Sequence, residues 1–567
     1  MRPEHSALLL VLACCACSRQ GDPGSSHAER AAVEHEVSVW RDRYDPVWQY
    51  AHTHCAGSAS LGASVSGDLG RRIRQVLHTS TANACDRWND APETTSVAIN
   101  DASATLIVHT ADARPASALQ FSLTNAGGNW TVQKVAASRA GTLHAIYDAS
   151  QAATDEGRIE PAYSQWTPHG AAPWAITHVI TYGQSLSQGF FNQPVLSTHQ
   201  RYASLRFAGG VRVQDAVQKI GAPRSYENFV PLTETRFDAE AETPTSGTLD
   251  MAMQLIAQEN LQDPAQLPYR FLGSAPGEGA MDIDELSKSG QFYPRIVRDI
   301  TEAKRLADAE GKSYGVGAMT WTQGESDDAI DTPIPDYVTK LRRLRSDVDH
   351  DAKAITGQTA DVELIAYQLA THKSFSQPFP HIALALLQAS HEDPHIHIAA
   401  PMYLFRYVDG RHTDNRSSQW LGAYYGLVLK RVLIDHETWT PLEPMSWRRD
   451  GDTATLRFKV PAPPLQWDTT QVAGNTNYGF ALRLPSGQML PIRSVSITGP
   501  DQVQIVADGA IPAGTEVEYA FEGEGLAGSR FGPRGNLRDS QGDAIQFDNG
   551  RELKRMDNWC VIFHAQL

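Results

Sequence analysis

The sequence has no apolar run long enough to cross a bilayer. A membrane-spanning helix needs about 20 consecutive apolar residues, and the apolar core Ala7–Ala13 (ALLLVLA) is much shorter. The chain also lacks an excess of positive charge. Lys and Arg total 49 against 65 Asp and Glu, a net charge of −16. Such a field repels phosphate backbones and argues against a nucleic-acid partner. Glycine (43) and proline (32) are too few for a collagen-like or wholly disordered chain of 567 residues, and no fixed-period repeat is visible. Cysteine is scarce. Cys14, Cys15 and Cys17 lie together at the start, and only Cys55, Cys85 and Cys560 follow.

What is present begins with an export signal over residues 1–17. Arg2 precedes the short apolar core, which runs straight into the cysteines, a signal-peptide pattern. Val11-Leu12-Ala13-Cys14 resembles a bacterial lipobox, and the following SRQGDPGSSH suits a flexible tether. The resemblance implies lipidation, best at Cys14, with Cys15 and Cys17 left open. A plain cleaved signal peptide with incidental cysteines is the competing interpretation. Either way the expected location is exported, periplasmic or at the cell surface, with membrane contact only through the anchor. In an oxidising space a Cys55–Cys85 disulfide is expected. Cys560, between Trp559 and Val561-Ile562-Phe563, reads as a buried free thiol.

Three domains are expected after the signal. Residues 28–150 read as a small α+β domain with helical character over Ala28–Tyr50 and Gly67–Thr79. Strand-like runs follow at Thr95–Ile99, Thr105–His109, Leu119–Leu123 and Trp130–Val135, a pattern like a cystatin or NTF2 shape. Gln151–Pro173 is polar and Pro-bearing, a linker. Residues 174–436 alternate apolar strand-length runs (Ile176–Tyr182, Tyr269–Gly273, Gly315–Trp321, Glu363–Gln368, Ile396–Ala400) with helical patterns. That alternation predicts an α/β fold with a mostly parallel sheet. Residues 441–567 turn β-rich with Gly and Pro punctuation and read as a β-sandwich.

Reactive groups in such sheets sit outside the carboxyl ends of the strands. Gly183-Gln184-Ser185-Leu186-Ser187-Gln188-Gly189 follows the first strand and exposes a serine on a tight turn, with Ser187 as a rival to Ser185. Trp321-Thr322-Gln323-Gly324-Glu325-Ser326-Asp327 follows another strand, and a Gln amide there can donate to an oxyanion. In Asp409-Gly410-Arg411-His412 a carboxylate three residues before a histidine can hold its Nδ1–H, freeing Nε2 as a base. A second D-x-x-H, Asp347 to His350, lies in a charged helical run and reads as surface. Glu242-Thr243-Pro244-Thr245-Ser246-Gly247 precedes a helix and offers a glycine N–H. Ser274 to Gly279, with Glu278, follows another strand and is either a cleft wall or a plain turn.

Taken together, the GQSLSQG, ETPTSG, TWTQGESD and DGRHTDN segments resemble the SGNH/GDSL hydrolase superfamily, in its sialate O-acetylesterase-like branch. The resemblance spans about Trp174 to Ile434 and implies a three-layer α/β/α SGNH-type fold. It implies Ser185 as nucleophile, His412 as base and Asp409 as its orienting acid. It implies an oxyanion hole of the Ser185 and Gly247 N–H groups and the Gln323 side chain. Gln184, Glu325 and Glu278 are expected around the site. Leu186 departs from the family's usual Asn. The activity implied is removal of O-acetyl groups from a carbohydrate, with no cofactor. Two other functions remain open: a non-catalytic glycan- or protein-binding surface lipoprotein, and a lipase or thioesterase on the same fold. His391, His395 and His397 lack further ligands nearby, so no metal site is expected. Trp447 and Trp467 are candidates for sugar contact or for core.

Overall fold

The computed structural model describes residues 32–35, 37–38, 94–100, 103–109, 118–126, 129–139, 142–148, 171–212, 225–260, 267–543, 545–549 and 551–567. The expected export signal with Cys14, the expected Cys55–Cys85 disulfide, the expected helix Gly67–Thr79, most of the expected helix Ala28–Tyr50 and most of the expected linker lie outside them. Two units form: Met1–Pro168 with Ala257–Asp263, and His169–Ile256 with Pro264–Leu567.

In the first unit, strands β1 (Thr94–Asn100), β2 (Ser103–His109), β3 (Ala118–Ala126), β4 (Asn129–Arg139) and β5 (Thr142–Asp148) pair in chain order as a five-stranded antiparallel sheet. Phe121 and Leu123 on β3 and Trp130 and Val132 on β4 are buried, the period-two pattern of a sheet with one covered face. The first four strands fall on the expected runs; β5 was not among them.

The second unit is built on a seven-stranded sheet. Its strands are β6 (Ile176–Gly183), β7 (Leu205–Phe207), β8 (Phe229–Pro231), β9 (Arg270–Ser274), β10 (Tyr314–Thr322), β11 (Glu363–Gln368) and β12 (Ile396–Pro401), in the order β12-β11-β10-β6-β9-β7-β8. All neighbours are parallel except β7 and β8. Every residue of β6 and β10 is buried, as parallel strands covered on both faces require. The helices are α1 (Pro244–Asn260), α2 (Ile283–Leu286), α3 (Pro294–Ala309), α4 (Glu325–Ala329), α5 (Ile334–Thr356), α6 (His381–Glu392) and α7 (Asn415–Leu429).

Side chains of consecutive strand residues point to opposite faces, and this assigns the layers. On β10, Trp321 Nε1 donates to the Tyr337 hydroxyl of α5, while the Thr322 hydroxyl bonds that of Tyr425 on α7. On β6, Tyr182 reaches the Leu286 carbonyl of α2, while Thr181 bonds Thr245 of α1. Helices α2 and α5 therefore cover one face and α1 and α7 the other, the expected α/β/α layering. The D-x-x-H copy at Asp347 lies within α5, where Asp347 pairs with Arg343.

Beyond residue 441 the chain is β-rich, as expected. Glu443–Asp450, Thr453–Lys459, Gln502–Ala507 and Ile492–Gly499 form a four-stranded antiparallel sheet in that spatial order. Phe480–Arg483, Glu516–Tyr519 and Phe563–Gln566 form a three-stranded one. This region is part of the same unit as the α/β sheet, and the chain's last segment joins them. The Gln368 side chain of β11 donates to the Ile562 carbonyl at 2.8 Å and accepts from the Ile562 N–H at 2.6 Å. Tyr403 donates to the Cys560 carbonyl and Tyr424 to that of Asp557. Cys560 is fully buried and free, as its neighbours implied. Trp447 is partly exposed, with its indole N–H on the Gln566 carbonyl; Trp467 stacks on Tyr478 with centroids 4.2 Å apart. Among the described residues, no helix is long and apolar enough to cross a membrane.

Candidate active site

Strand β6 lies between β9 and β10, so the carboxyl ends of all three meet at one crevice. Gly183 closes β6 with φ 144, and a Cβ there would lie 2.1 Å from the Thr322 carbonyl oxygen. Only glycine permits this approach, and it draws the two strand ends together. The Gln184 N–H then donates to Thr322 O, and the Gln184 side chain accepts from the Ser326 N–H. The serine turn and the QGES turn are thus pinned to each other at both ends of one residue.

Ser185 stands at the head of this turn. Its Oγ lies 2.9 Å from Nε2 of His412, 227 residues away in the chain. His412 Nδ1 lies 2.7 Å from Asp409 Oδ2, and the His412 and Arg411 amides both donate to Asp409 Oδ1. Burial alone would raise the Asp409 pKa, but hydrogen bonds from the His412 side chain and these amides outweigh it and hold the carboxyl below its ordinary range. An ionised Asp409 fixes the proton on Nδ1 and leaves Nε2 as acceptor for the serine proton. Ser185, His412 and Asp409 therefore form one continuous chain of hydrogen bonds. The rival, Ser187, is fully buried and donates to the Gln184 carbonyl, away from the histidine. Leu186 is buried in the core, so its departure from the usual Asn is a matter of packing.

The remaining expected residues divide. Gly247 is packed against the helix α7. It sits in α1, and a Cβ there would lie 2.0 Å from the Gln419 carbonyl oxygen. The glycine is needed for a close helix crossing, and a glycine before a helix looks the same in sequence for either purpose. Gly279 lies at Ser185, its Cβ position 3.9 Å from Ser185 Cβ. The Ser274 to Gly279 loop is thus the cleft wall rather than a free turn. Arg295 of α3 clamps it, bonding the Gly277 carbonyl and pairing with Glu278 at 2.8 Å.

Gln323 is at the site but fully engaged. Its amide nitrogen donates to Asp327 Oδ2 at 2.5 Å and to the Met281 carbonyl at 3.2 Å, and its oxygen accepts from Tyr337. Asp327 also receives the Ile283 N–H and the Thr332 hydroxyl. It is the clamp of the QGESD turn, a role the sequence did not reveal.

Glu325 is buried rather than solvated, and Tyr367 donates to both its oxygens. Burial, partly offset by that hydroxyl, pushes its pKa up to about 7. A carboxyl raised above its unfolded value is protonated in the folded chain while ionised in the unfolded one. It therefore lowers stability as pH rises from the unfolded pKa, near 4.5, through about 7, because the folded state then binds more protons. Glu325→Gln is expected to flatten this part of the stability-versus-pH curve. Melting temperatures of both proteins between about pH 4 and pH 8 would check it; parallel curves would mean that Glu325 is ionised when folded.

His395 and His397 share the carboxylate of Glu363, and His391 pairs with Glu443. No group of three or more potential metal ligands occurs among the described residues.

A three-layer α/β/α domain with a Ser–His–Asp hydrogen-bond chain at the strand ends has the architecture of the serine hydrolases. The family of carbohydrate esterases described as sialic acid-specific acetylesterase matches residues 273–430, and over this stretch the chain is similar to it. The matched stretch holds Gly279, Gln323, Asp409 and His412; Ser185 precedes it. No curated protein matches the chain. Among solved structures, a carbohydrate acetylesterase from Xanthomonas citri is similar with a TM-score of 0.41 and 13% identity, covering 82% of this chain and 96% of its own. A protein from Arabidopsis thaliana is similar with a TM-score of 0.33 and 14% identity, covering 46% of this chain and 100% of its own.

Proposed function

We propose that this protein is a serine carboxylic-ester hydrolase that removes O-acetyl groups from a carbohydrate, acting as an exported protein. The observation that carries the reading is the unbroken contact from Ser185 Oγ to His412 Nε2 and from His412 Nδ1 to Asp409. Ser185 Oγ attacks the ester carbonyl as His412 takes its proton, and ionised Asp409 stabilises the imidazolium. The tetrahedral oxyanion rests on the backbone N–H groups of Ser185 and Gly279. The reading is supported by their adjacency across the crevice and by the absence of a protein acceptor for either N–H among the described residues. Gln323 joins them only by giving up its longer bond, to Met281. The alkoxide leaves with the proton held by His412. Water, deprotonated by His412, then releases acetate from Ser185.

The test is acetate release from O-acetylated glycans by the full chain, with Ser185→Ala as control, and a parallel series of longer acyl esters. Release that depends on Ser185 and favours acetyl supports the proposal. A preference for long acyl chains would make it a lipase or thioesterase instead. Absence of both turnover and fluorophosphonate labelling would return it to a binding protein.

A further inference from the structure

Directly after the serine turn the chain reads Phe190-Phe191, and neither ring has a place in the mechanism above. Phe190 is half-buried, its N–H on the Ser185 carbonyl and its ring 5.0 Å from that of His412. Phe191 stands edge-on to His412 at 5.6 Å between centroids, in contact with Phe190 at 4.3 Å. It is nevertheless 46% exposed. Its backbone is in the left-handed region, φ 63, held there by its N–H on the Ala239 carbonyl. A bulky residue with positive φ is uncommon and costs energy that the surrounding structure must sustain. Burial does not repay that cost here, because the ring faces solvent.

The chemistry of the crevice says what lies against this ring. When the ester C–O bond breaks, the departing oxygen takes the proton from His412 Nε2. The alcohol half of the substrate must therefore sit on the His412 side of Ser185, which is the side Phe191 borders. We infer that Phe191 is a specificity-determining residue, a flat platform on which the alcohol half of the ester packs, and that it favours alcohols with a planar C–H-bearing face, such as a pyranose ring. The negative face of the aromatic ring attracts such C–H groups, and an exposed ring offers that face without rearrangement. This inference rests on the esterase reading and adds to it the part of the substrate that is recognised.

The experiment compares Phe191→Gly, Phe191→Leu and Phe191→Tyr in the full chain on two acetates, a mono-O-acetylated methyl glucopyranoside and ethyl acetate. Glycine accepts the left-handed backbone without strain, and leucine keeps apolar bulk without a flat face. The quantity read is the ratio of kcat/KM for the sugar ester to that for ethyl acetate. In the Gly and Leu variants the ratio is expected to fall about 3- to 10-fold, the range for one aromatic contact. The fall should lie in KM for the sugar ester, since the contact is the same in ground and transition states. Tyr is expected to keep the wild-type ratio. An unchanged ratio in the Gly variant, or retention of the ratio by Leu, would overturn the platform while leaving the esterase reading in place. A wild-type chain inactive on both acetates would overturn both.

Discussion

Ser185→Ala is expected to lower acetate release by about 10³-fold or more, to the level left by binding and oxyanion stabilisation alone. The argument is geometric. Ser185 is the one hydroxyl within hydrogen-bonding distance of His412 Nε2 among the described residues, and its neighbour Ser187 is buried and turned to Gln184. Alanine removes a single oxygen from a nearly buried side chain, so the melting temperature should hold within the small range of a benign substitution. The check is kcat/KM on a small acetate, together with fluorophosphonate labelling and a melting curve. Activity retained by a folded Ala variant would remove Ser185 as the nucleophile. Activity lost together with the fold would leave the assignment to the labelling result.

Ending the chain at residue 555 is expected to abolish folding of the α/β domain as well as the β-rich region. The deleted segment carries Trp559, Cys560, Val561, Ile562 and Phe563, all buried. At about 1.5–3 kcal/mol for each large apolar side chain, the loss is on the order of 10 kcal/mol, comparable with the whole stability of a typical protein at about 5–15 kcal/mol. The deletion also strips hydrogen-bond partners from Gln368, Tyr403 and Tyr424, three buried polar side chains. Each unsatisfied group costs about 1–3 kcal/mol more. Near-ultraviolet circular dichroism through a thermal ramp should show no cooperative transition. A truncated chain that melts cooperatively and keeps its esterase activity would mean that the tail merely decorates a self-sufficient domain.

The sheet was the most legible part of this protein, for a physical reason. Parallel strands covered on both faces read as short apolar runs, and β6, β9, β10, β11 and β12 lie within a residue or two of where those runs placed them. Strands β7 and β8, three residues each, are too short to leave a pattern. Ser185, Asp409 and His412 stood out only because four short segments together resemble a hydrolase family; each segment alone reads as an ordinary turn, and the contact that joins them spans 227 residues. For Gly247 the sequence is silent on its packing, because glycine carries no side chain to announce its task. Its close approach to α7 and the nearness of Gly279 to Ser185 exist only in three dimensions. Asp327 was overlooked for a related reason: besides the nearby Gln323 and Thr332 it holds the Ile283 N–H, from a turn 44 residues away. Phe190-Phe191 carries no motif, and the exposure and backbone conformation of Phe191 set it apart only in the fold.

The C-terminal region also touches the turn that carries Asp409 and His412. Near residue 527 a loop places Leu526 against Gly410, the Ala527 N–H donates to the Gly410 carbonyl, and the Ser529 N–H donates to that of Phe405. The loop that carries Asp409 and His412 is thereby braced by residues more than a hundred positions downstream. This sets a timetable. As the chain emerges in order from the ribosome, the serine turn exists first, its histidine partner only after more than two hundred further residues, and the brace later still. Contacts so distant in sequence form slowly and late. The loop that holds Asp409 and His412 is therefore fully supported only once the region near residue 527 has packed against it.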